Sequence, residues 1–170
     1  MNSEFLTENE LKKINFKKIG SNIQISKNVT IIGAKNISMG SNVRIDDYTI
    51  ISASEGKLNI GSNVHIGGQS YFGCGGEVKI GNNIHISQGV KVYSKLDNYL
   101  EYEDETSVIL KKVLIKDKVI IGSGTVIVGN ATINEGTTIG ALSFVKKNLN
   151  SWSVYGGNPL KFIKVRKKRL

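Results

Sequence analysis

The segment IGSNVHIGGQSYFGCGGEVKIGNNIHIS, residues 60–87, contains the pattern that decides the fold. Large apolar residues recur in it at intervals of six, and Ile60-Gly61 and Ile80-Gly81 are each followed by a small polar pair. A period of six fits neither the helical repeat of about 3.6 residues nor the two-residue alternation of a half-buried strand. The segment therefore predicts short strands separated by regular corners.

The same period extends outward in both directions, from residue 19 to residue 145. Its large apolar positions are Ile19, Ile25, Ile31, Met39, Ile45, Ile51, Ile60, Ile66, Phe72, Ile80, Ile86, Val92, Ile115, Ile121, Ile127, Ile133, Ile139 and Val145. In each hexad the apolar residue points inward from a short strand. Gly or Asn at the corner accepts a left-handed backbone conformation that costs other residues energy. Three hexads form one coil of a three-sided parallel β-helix, and the repeats suffice for about six coils.

The composition agrees with an all-β chain and limits its class. The 23 Ile and 14 Val, against 11 Leu and 4 Ala, favour strands over helices, and the hydrophobic fraction of 39% is enough to build a core. No run approaches the roughly 20 apolar residues of a membrane span, and residues 1–10 lack the apolar stretch of a secretory signal. Cys74 is the single cysteine and has no partner for an internal disulfide. We therefore expect a soluble cytoplasmic protein.

Three segments depart from the repeat: the N-terminus, an insertion within the coils and the C-terminus. We interpret the chain as one domain with three parts: an N-terminal helical cap (1–18), a β-helix (19–155) with a loop insertion (94–112), and a basic C-terminal tail (156–170). In the cap, Thr7 followed by Glu10 resembles a capping box and predicts a short amphipathic helix. The insertion contains five acidic residues, and the last ten residues contain six Lys and Arg of a chain whose formal charge is +9.

Four stretches carry a family resemblance: the hexads of 19–145, residues 63–67, residues 92–94, and the ending Val-Tyr-Gly-Gly-Asn-Pro at 154–159. With them the chain resembles the hexapeptide-repeat acyltransferases, a left-handed β-helix family. The likeness is strongest to the branch of maltose, galactoside and lipopolysaccharide-sugar O-acetyltransferases. The resemblance implies a left-handed parallel β-helix and a homotrimer that binds acetyl-CoA between neighbouring solenoids. It also implies acetyl transfer to a hydroxyl or amine of a sugar or sugar nucleotide, with a role in surface-polysaccharide biosynthesis.

The two histidines, His65 and His85, are the first candidates for a general base, because the pKa of histidine lies near neutrality. Each ends an Ile-Gly-x-Asn-x-His hexad and should point outward. They occupy the same place in consecutive coils, so their Cα atoms should be about 5 Å apart. Stacked in this way they could form a base and its orienting partner, or contact a substrate. The plain alternative is a pair of surface or interface imidazoles without a chemical role.

The chain departs from the family pattern at the position of the catalytic histidine. The maltose and galactoside enzymes have their catalytic histidine after a Tyr-Ser-like step, where this chain has Asp97. Three alternatives follow. A histidine elsewhere acts, His85 before His65, because residues 84–89 resemble a segment that holds the acetyl carbonyl in related sugar N-acetyltransferases. In the second alternative, Asp97 itself acts as the base. The plain reading of Asp97 is one more solvated charge in an acidic loop. Or the enzyme relies on positioning, and the acceptor loses its proton to water or to the thiolate.

Binding residues are expected on later coils and around the insertion. Small corner residues can let pantetheine pass, and the resemblance implies lysines that bind the phosphates of CoA. The expected CoA site contains Gly122, Ser123, Ala141, Ser143, Lys146, Lys147 and Lys161. The plain alternative is that the corner glycines serve only the turn and the lysines are surface charge. The expected acceptor site contains Gln69, Tyr71, Tyr93 and Tyr99. Cys74 is interpreted as a structural thiol.

Rival functions follow from the same features. A zinc carbonic anhydrase on this fold would need three histidines, so no metal is expected. A non-enzymatic β-helix that uses its basic tail to bind an anionic partner is the alternative to acetyl transfer. The tail lacks a nucleic-acid motif, so nucleic acid is not expected, whereas a membrane-proximal association through the tail remains open.

Overall fold

The computed structural model describes residues 4–97 and 108–167. An α-helix, α1 (Glu8–Ile14), precedes the coils, and a 3-10 helix covers Ala34–Asn36. The strands, in chain order, are β1 (Ile23–Ile25), β2 (Thr30–Ile32), β3 (Ile37–Met39), β4 (Val43–Ile45), β5 (Ile50–Ser52), β6 (Lys57–Ile60), β7 (Val64–Ile66), β8 (Tyr71–Gly73), β9 (Glu77–Ile80), β10 (Ile84–Ile86), β11 (Lys91–Tyr93), β12 (Lys95–Asp97), β13 (Val108–Leu110), β14 (Lys112–Ile115), β15 (Ile120–Ile121), β16 (Val126–Val128), β17 (Thr132–Ile133), β18 (Thr138–Ile139), β19 (Phe144–Val145), β20 (Ser153–Gly156) and β21 (Lys161–Val165).

These strands stack into the three sides of a prism. The first side has the order β1-β4-β7-β10-β15-β18-β20-β21, the second β2-β5-β8-β11-β16-β19, and the third β3-β6-β9-β14-β17. All neighbours on these sides are parallel except β20 and β21, which are antiparallel. The prediction of a parallel β-helix of about six coils with a short N-terminal helix is confirmed.

The hexad positions form the core. All of the predicted inward residues are buried except Ile19 and Ile31, which are half-buried in the first coil and pack against the core. In-register stacking places each of the others on its equivalent in the next coil, as Ile66 lies between Ile45 and Ile86. Burial of equivalent side chains along one axis is what the six-residue period encodes.

One corner of the prism explains the Ser-Asn pairs that follow Ile-Gly. Four asparagines share a left-handed backbone, with φ between 54° and 57°: Asn22, Asn42, Asn63 and Asn83. The amide Nδ2 of each of the first three donates to the Oδ1 of the next asparagine, at 2.9, 2.9 and 3.1 Å. Asparagine therefore provides both the backbone conformation and a hydrogen bond between coils.

The ends of the solenoid are closed differently. At the N-terminus, Thr7 and Glu10 form the expected capping box, and Leu11 is buried. At the C-terminus, residues 161–165 of the predicted basic tail form β21 and pair with β20. The physical reason is that β20 would otherwise leave a row of unpaired backbone groups at the edge of the sheet.

The insertion leaves the prism between β11 and β14. Its two arms, β12 and β13, pair antiparallel, with Lys95 opposite Leu110 and Asp97 opposite Val108. The loop insertion predicted from the interrupted period therefore begins as a hairpin whose first arm ends at Asp97.

Candidate active site

The two histidines lie side by side on the first side of the prism. His65 on β7 pairs in register with His85 on β10, and their ring centroids are 5.0 Å apart. Their Nδ1 atoms are 3.3 Å apart, within hydrogen-bonding distance. His65 is half-buried and His85 is exposed. The structure thus places them where the repeat predicts, while their catalytic role stays a prediction.

The carboxylate of Asp46 links this pair to the preceding coil. Its Oδ2 lies 2.7 Å from His65 Nε2, and its Oδ1 accepts a hydrogen bond of 2.7 Å from Arg44 Nε. Partial burial raises the pKa of Asp46, but the hydrogen bonds from His65 and Arg44 outweigh burial and bring the pKa below its ordinary value. Asp46 is therefore an anion at neutral pH, and polar contacts run from Arg44 through Asp46 and His65 to His85.

The sequence reasoning missed Arg44 and Asp46. The signal was nevertheless present, because Arg44, His65 and His85 each stand between two inward residues at the same place in their coils. The register of β4 on β7 places Arg44 beside His65. In the same way, the register of β7 on β10 places His65 beside His85.

The series of polar contacts that starts at Arg44 ends at His85, and His85 lines a basic cavity of about 520 Å³. Lys118, Trp152, Arg166 and Lys167 line the same cavity. The Lys118 ammonium and the Arg166 guanidinium lie over the Trp152 ring, 5.6 and 5.9 Å from its centroid. An imidazole, an indole and three cations form a cavity suited to an anionic ligand. The sequence reasoning missed Trp152 and Lys118, which carry no motif.

A second cavity, of about 250 Å³, lies on the second side, where the insertion begins. The rings of Tyr71 on β8 and Tyr93 on β11 have centroids 5.4 Å apart. Asp97 lines the cavity with them, and so does Lys95, which forms an ion pair of 2.7 Å with Glu55. The structure therefore brings three predicted residues together, but on a different side of the prism from the histidines.

The other two residues predicted to bind the acceptor are not part of this cavity. Gln69 is exposed at the corner between β7 and β8, with φ of 58°. Tyr99 lies outside the described residues.

The thiol of Cys74 lies beside the cavity of Tyr71 and Tyr93 and is fully buried, with 0% of its surface exposed. Burial raises the pKa of this thiol to about 12. A thiol that stays protonated and out of contact with solvent is a poor nucleophile. This environment agrees with the interpretation of Cys74 as a structural residue.

Lysines predicted to bind CoA gather at the C-terminal end of the prism. Lys146 and Lys147 line a cavity of about 310 Å³ together with Asn158, Pro159 and Leu160. Lys161 follows directly and is exposed at the start of β21. Lysines near a turn can bind phosphate as point charges, so the cavity suits a phosphate-bearing cofactor.

The small residues predicted to bind CoA lie on the corners after β15 and β18. Ser123 is half-buried and Ala141 is exposed. A Cβ atom on Gly122 would come within 2.5 Å of the Ala141 nitrogen, so close stacking of the coils already requires glycine. Ser143 is buried, and its hydroxyl donates to the Gly140 oxygen and accepts from the Gly157 nitrogen. Its side chain therefore stabilises the C-terminal turn.

The described ranges, 4–97 and 108–167, contain neither a metal-ligand cluster nor a membrane-spanning helix. No group of three or more His, Cys, Asp or Glu residues in these ranges is placed to hold a metal ion. No helix there is long and apolar enough to cross a membrane.

The chain is similar to known acyltransferases over nearly its whole length. The dTDP-4-amino-4,6-dideoxy-D-glucose acyltransferase of Escherichia coli is 37% identical over 98% of this chain and 91% of its own. AntD, an N-acyltransferase from Bacillus cereus solved with dTDP and 3-hydroxybutyryl-CoA, superposes with a TM-score of 0.87 at 38% identity, covering 98% of this chain and 92% of that one.

A more distant structure agrees on the fold. A hexapeptide-repeat acetyltransferase from Vibrio cholerae, solved with acetyl-CoA, has a TM-score of 0.63 at 20% identity and covers 93% of this chain and 75% of that one. No family model matches the chain. The Escherichia coli relative is an acyltransferase of an amino sugar nucleotide and the Bacillus cereus one is an N-acyltransferase, so their branch differs from the O-acetyltransferases that the sequence resembles. The chain belongs to the hexapeptide-repeat acyltransferases, in the branch of the Escherichia coli dTDP-4-amino-4,6-dideoxy-D-glucose acyltransferase.

Proposed function

We propose that the protein transfers an acyl group from an acyl-CoA to the amino group of a dTDP-linked 4-amino-4,6-dideoxy sugar. The observation that carries this proposal is the 37% identity with the Escherichia coli enzyme across 98% of this chain. The Bacillus cereus neighbour was solved with dTDP and an acyl-CoA, the two ligand classes that the proposed reaction needs.

The cavities of the chain support this proposal with separate binding environments. The pair of Tyr71 and Tyr93 offers aromatic faces for the acceptor, and Asp97 offers a carboxylate to orient its amino group. Lys146, Lys147 and Lys161 offer cations for the phosphates of CoA. We assign the acceptance of the proton from the amine to His85, whose ring lines the basic cavity.

The proposed active enzyme is a homotrimer. His85 and Asp97 line cavities on different sides of one prism, so both can serve one reaction only if the first side of one chain meets the second side of another. A ring of three chains closes such a head-to-tail contact, whereas an open arrangement would grow into a filament. Analytical ultracentrifugation tests the trimer directly.

Thiol release from acetyl-CoA, followed with a thiol reagent, tests the proposed reaction. We expect turnover with dTDP-4-amino-4,6-dideoxyglucose. With dTDP-6-deoxyglucose, which has a hydroxyl in place of the amine, turnover should be slower by about 10²-fold or more, because the hydroxyl needs fuller deprotonation to attack. A rate with the amino sugar no higher than hydrolysis without acceptor would overturn the proposal.

The identity of the acyl group needs its own measurement. We propose acetyl-CoA as the donor, and a comparison of kcat/KM for acetyl-CoA and 3-hydroxybutyryl-CoA decides between a small and an extended acyl pocket. A cytoplasmic location, a role in surface-polysaccharide biosynthesis and a membrane-proximal association of the C-terminal segment stay predictions.

A further inference from the structure

The chain of contacts from Arg44 to His85 has a direction that follows from counting protons. The Asp46 carboxylate only accepts hydrogen bonds, so the ring nitrogen that faces it, His65 Nε2, must carry a proton. In a neutral imidazole the other nitrogen is then a bare acceptor. For a neutral His65, Nδ1 therefore accepts and the facing His85 Nδ1 donates.

This arrangement distinguishes the two histidines. Both ring nitrogens of His65 are occupied, one by Asp46 and one by His85. Because Nδ1 of His85 carries the proton that it donates to His65, Nε2 of His85 is the unprotonated nitrogen. His85 is also the ring that lines the open cavity, where a substrate amine would meet it.

We propose that Asp46 is a positioning residue which, through His65, keeps Nε2 of His85 unprotonated and ready to accept a proton from the acceptor amine. The inference rests on the proposed acyl transfer and adds to it a reason why His85, and not His65, accepts the proton. Arg44 has a supporting part, since its hydrogen bond fixes which carboxylate oxygen faces His65.

The step balances without a further reactant. The amine nitrogen attacks the thioester carbon, a C–N bond forms, and the electron pair of the carbonyl moves to oxygen. His85 Nε2 accepts one proton from the nitrogen. The C–S bond then breaks, and the thiolate leaves and takes up that proton as CoA thiol. His65, still held by Asp46, stabilises the transient imidazolium by accepting its Nδ1–H.

The variant Asp46→Asn tests the direction of the chain. Arg44 can only donate, so the amide oxygen of the new side chain should face Arg44 and the amide NH₂ should face His65. His65 Nε2 then becomes an acceptor, its Nδ1 becomes a donor, and Nε2 of His85 becomes protonated. We expect kcat/KM at neutral pH to fall by about 10²-fold or more, as for loss of a general base.

A second substitution should reverse this loss. In Arg44→Met/Asp46→Asn no side chain forces the amide oxygen away from His65, so the amide can rotate and accept from His65 Nε2. We expect the double variant to recover about tenfold or more of the activity lost in Asp46→Asn. A purely structural role of Asp46 predicts further loss in the double variant instead.

Asp47→Asn is the matched control. The Asp47 carboxylate accepts from Ser26 and Asn28, and these residues take no part in the chain of contacts. Its kcat/KM should stay within about twofold of the wild type. Thermal unfolding of every variant shows whether a loss of activity reflects a loss of folded protein.

Nitrogen-15 NMR of labelled histidine reads the tautomers without an activity assay. The chain has two histidines, so His65→Gln assigns both sets of signals. The charged groups that face His85 are Lys118, Arg166 and Lys167 in the cavity, and the second imidazole, His65, lies beside it, so spectra are compared at one neutral pH. We expect Nε2 of His85 to be unprotonated in the wild type and protonated in Asp46→Asn.

The outcomes separate this inference from the proposed function. An unshifted tautomer in Asp46→Asn, or full turnover in His85→Ala, overturns the inference while acyl transfer by the wild type still stands. The expected tautomers in a protein that transfers no acyl group contradict the proposed function, and with it the catalytic use of this chain of contacts.

Discussion

At the scale of the residue, Asn63 shows how one side chain supports the solenoid. Its backbone has φ of 57°, a region that costs most residues energy, and its side chain bonds the coils on both sides. Asparagine tolerates the left-handed region better than most other non-glycine residues because its short polar side chain can hydrogen-bond locally. Asparagine therefore suits this position for two reasons: it tolerates the left-handed backbone, and its side chain forms hydrogen bonds to the neighbouring coils.

Replacing Asn63 by alanine should lower the free energy of unfolding by about 2 kcal/mol. The loss combines two side-chain hydrogen bonds with the strain of alanine in the left-handed region. Urea unfolding measures it. Asn59→Ala is the matched control, because Asn59 lies on β6 in extended backbone, and it should cost less than about 0.5 kcal/mol. Equal losses in the two variants would contradict this account of the corner.

At the scale of the element, hydrogen bonds of Arg166 connect the end of β21 to the coils. The five residues of this strand are all exposed, including Phe162 and Val165. Arg166 donates from its backbone to the Trp152 oxygen at 2.7 Å, and from its guanidinium to the oxygens of Lys118 and Gly136, both at 2.9 Å. The strand is thus anchored to the coils at its end, and Arg166 also lines the cavity that His85 lines.

Arg166→Ala should release β21. Without the two guanidinium bonds, amide hydrogen exchange in residues 161–165 should become about tenfold faster or more, corresponding to at least about 1.4 kcal/mol of local stability. Lys167→Ala, which removes a neighbouring charge without those bonds, should leave the exchange unchanged. Unchanged protection in Arg166→Ala would mean that pairing with β20 alone holds the strand.

At the scale of the whole molecule, the separation of His85 from Asp97 predicts that each active site is shared. In a trimer of the proposed kind, His85 comes from one chain and Asp97 from its neighbour. Either substitution alone, His85→Ala or Asp97→Ala, should therefore inactivate all three sites.

Mixed trimers of these two variants should regain activity. When equal amounts are unfolded and refolded together, about one site in four should receive an intact His85 from one chain and an intact Asp97 from the next, so about a quarter of wild-type activity should return. Each variant refolded alone is the control. No recovery, in mixtures shown by mass spectrometry to contain both chains, would contradict the shared site.

The fold and part of the site could be predicted from the sequence because a solenoid turns spacing into position. Residues one coil apart become neighbours, so the alignment of His65 with His85 followed from the repeat. The same rule would have found Arg44, which stands one coil before His65. Asp97 could be placed at the start of the insertion, but the tyrosines around it form a cavity only through their packing in three dimensions.

The sequence by itself determined the inward column of apolar residues, the corners and the number of coils, because the hexad recurs many times and each recurrence adds one short strand and one corner. The tertiary structure alone decided the features outside the period. The C-terminal segment became a strand because β20 needed a partner, and Arg166 reached Lys118 across 48 positions of the chain. The orientation of Asp46 between Arg44 and His65, which sets the protons on His85, depends on side-chain geometry that no spacing encodes.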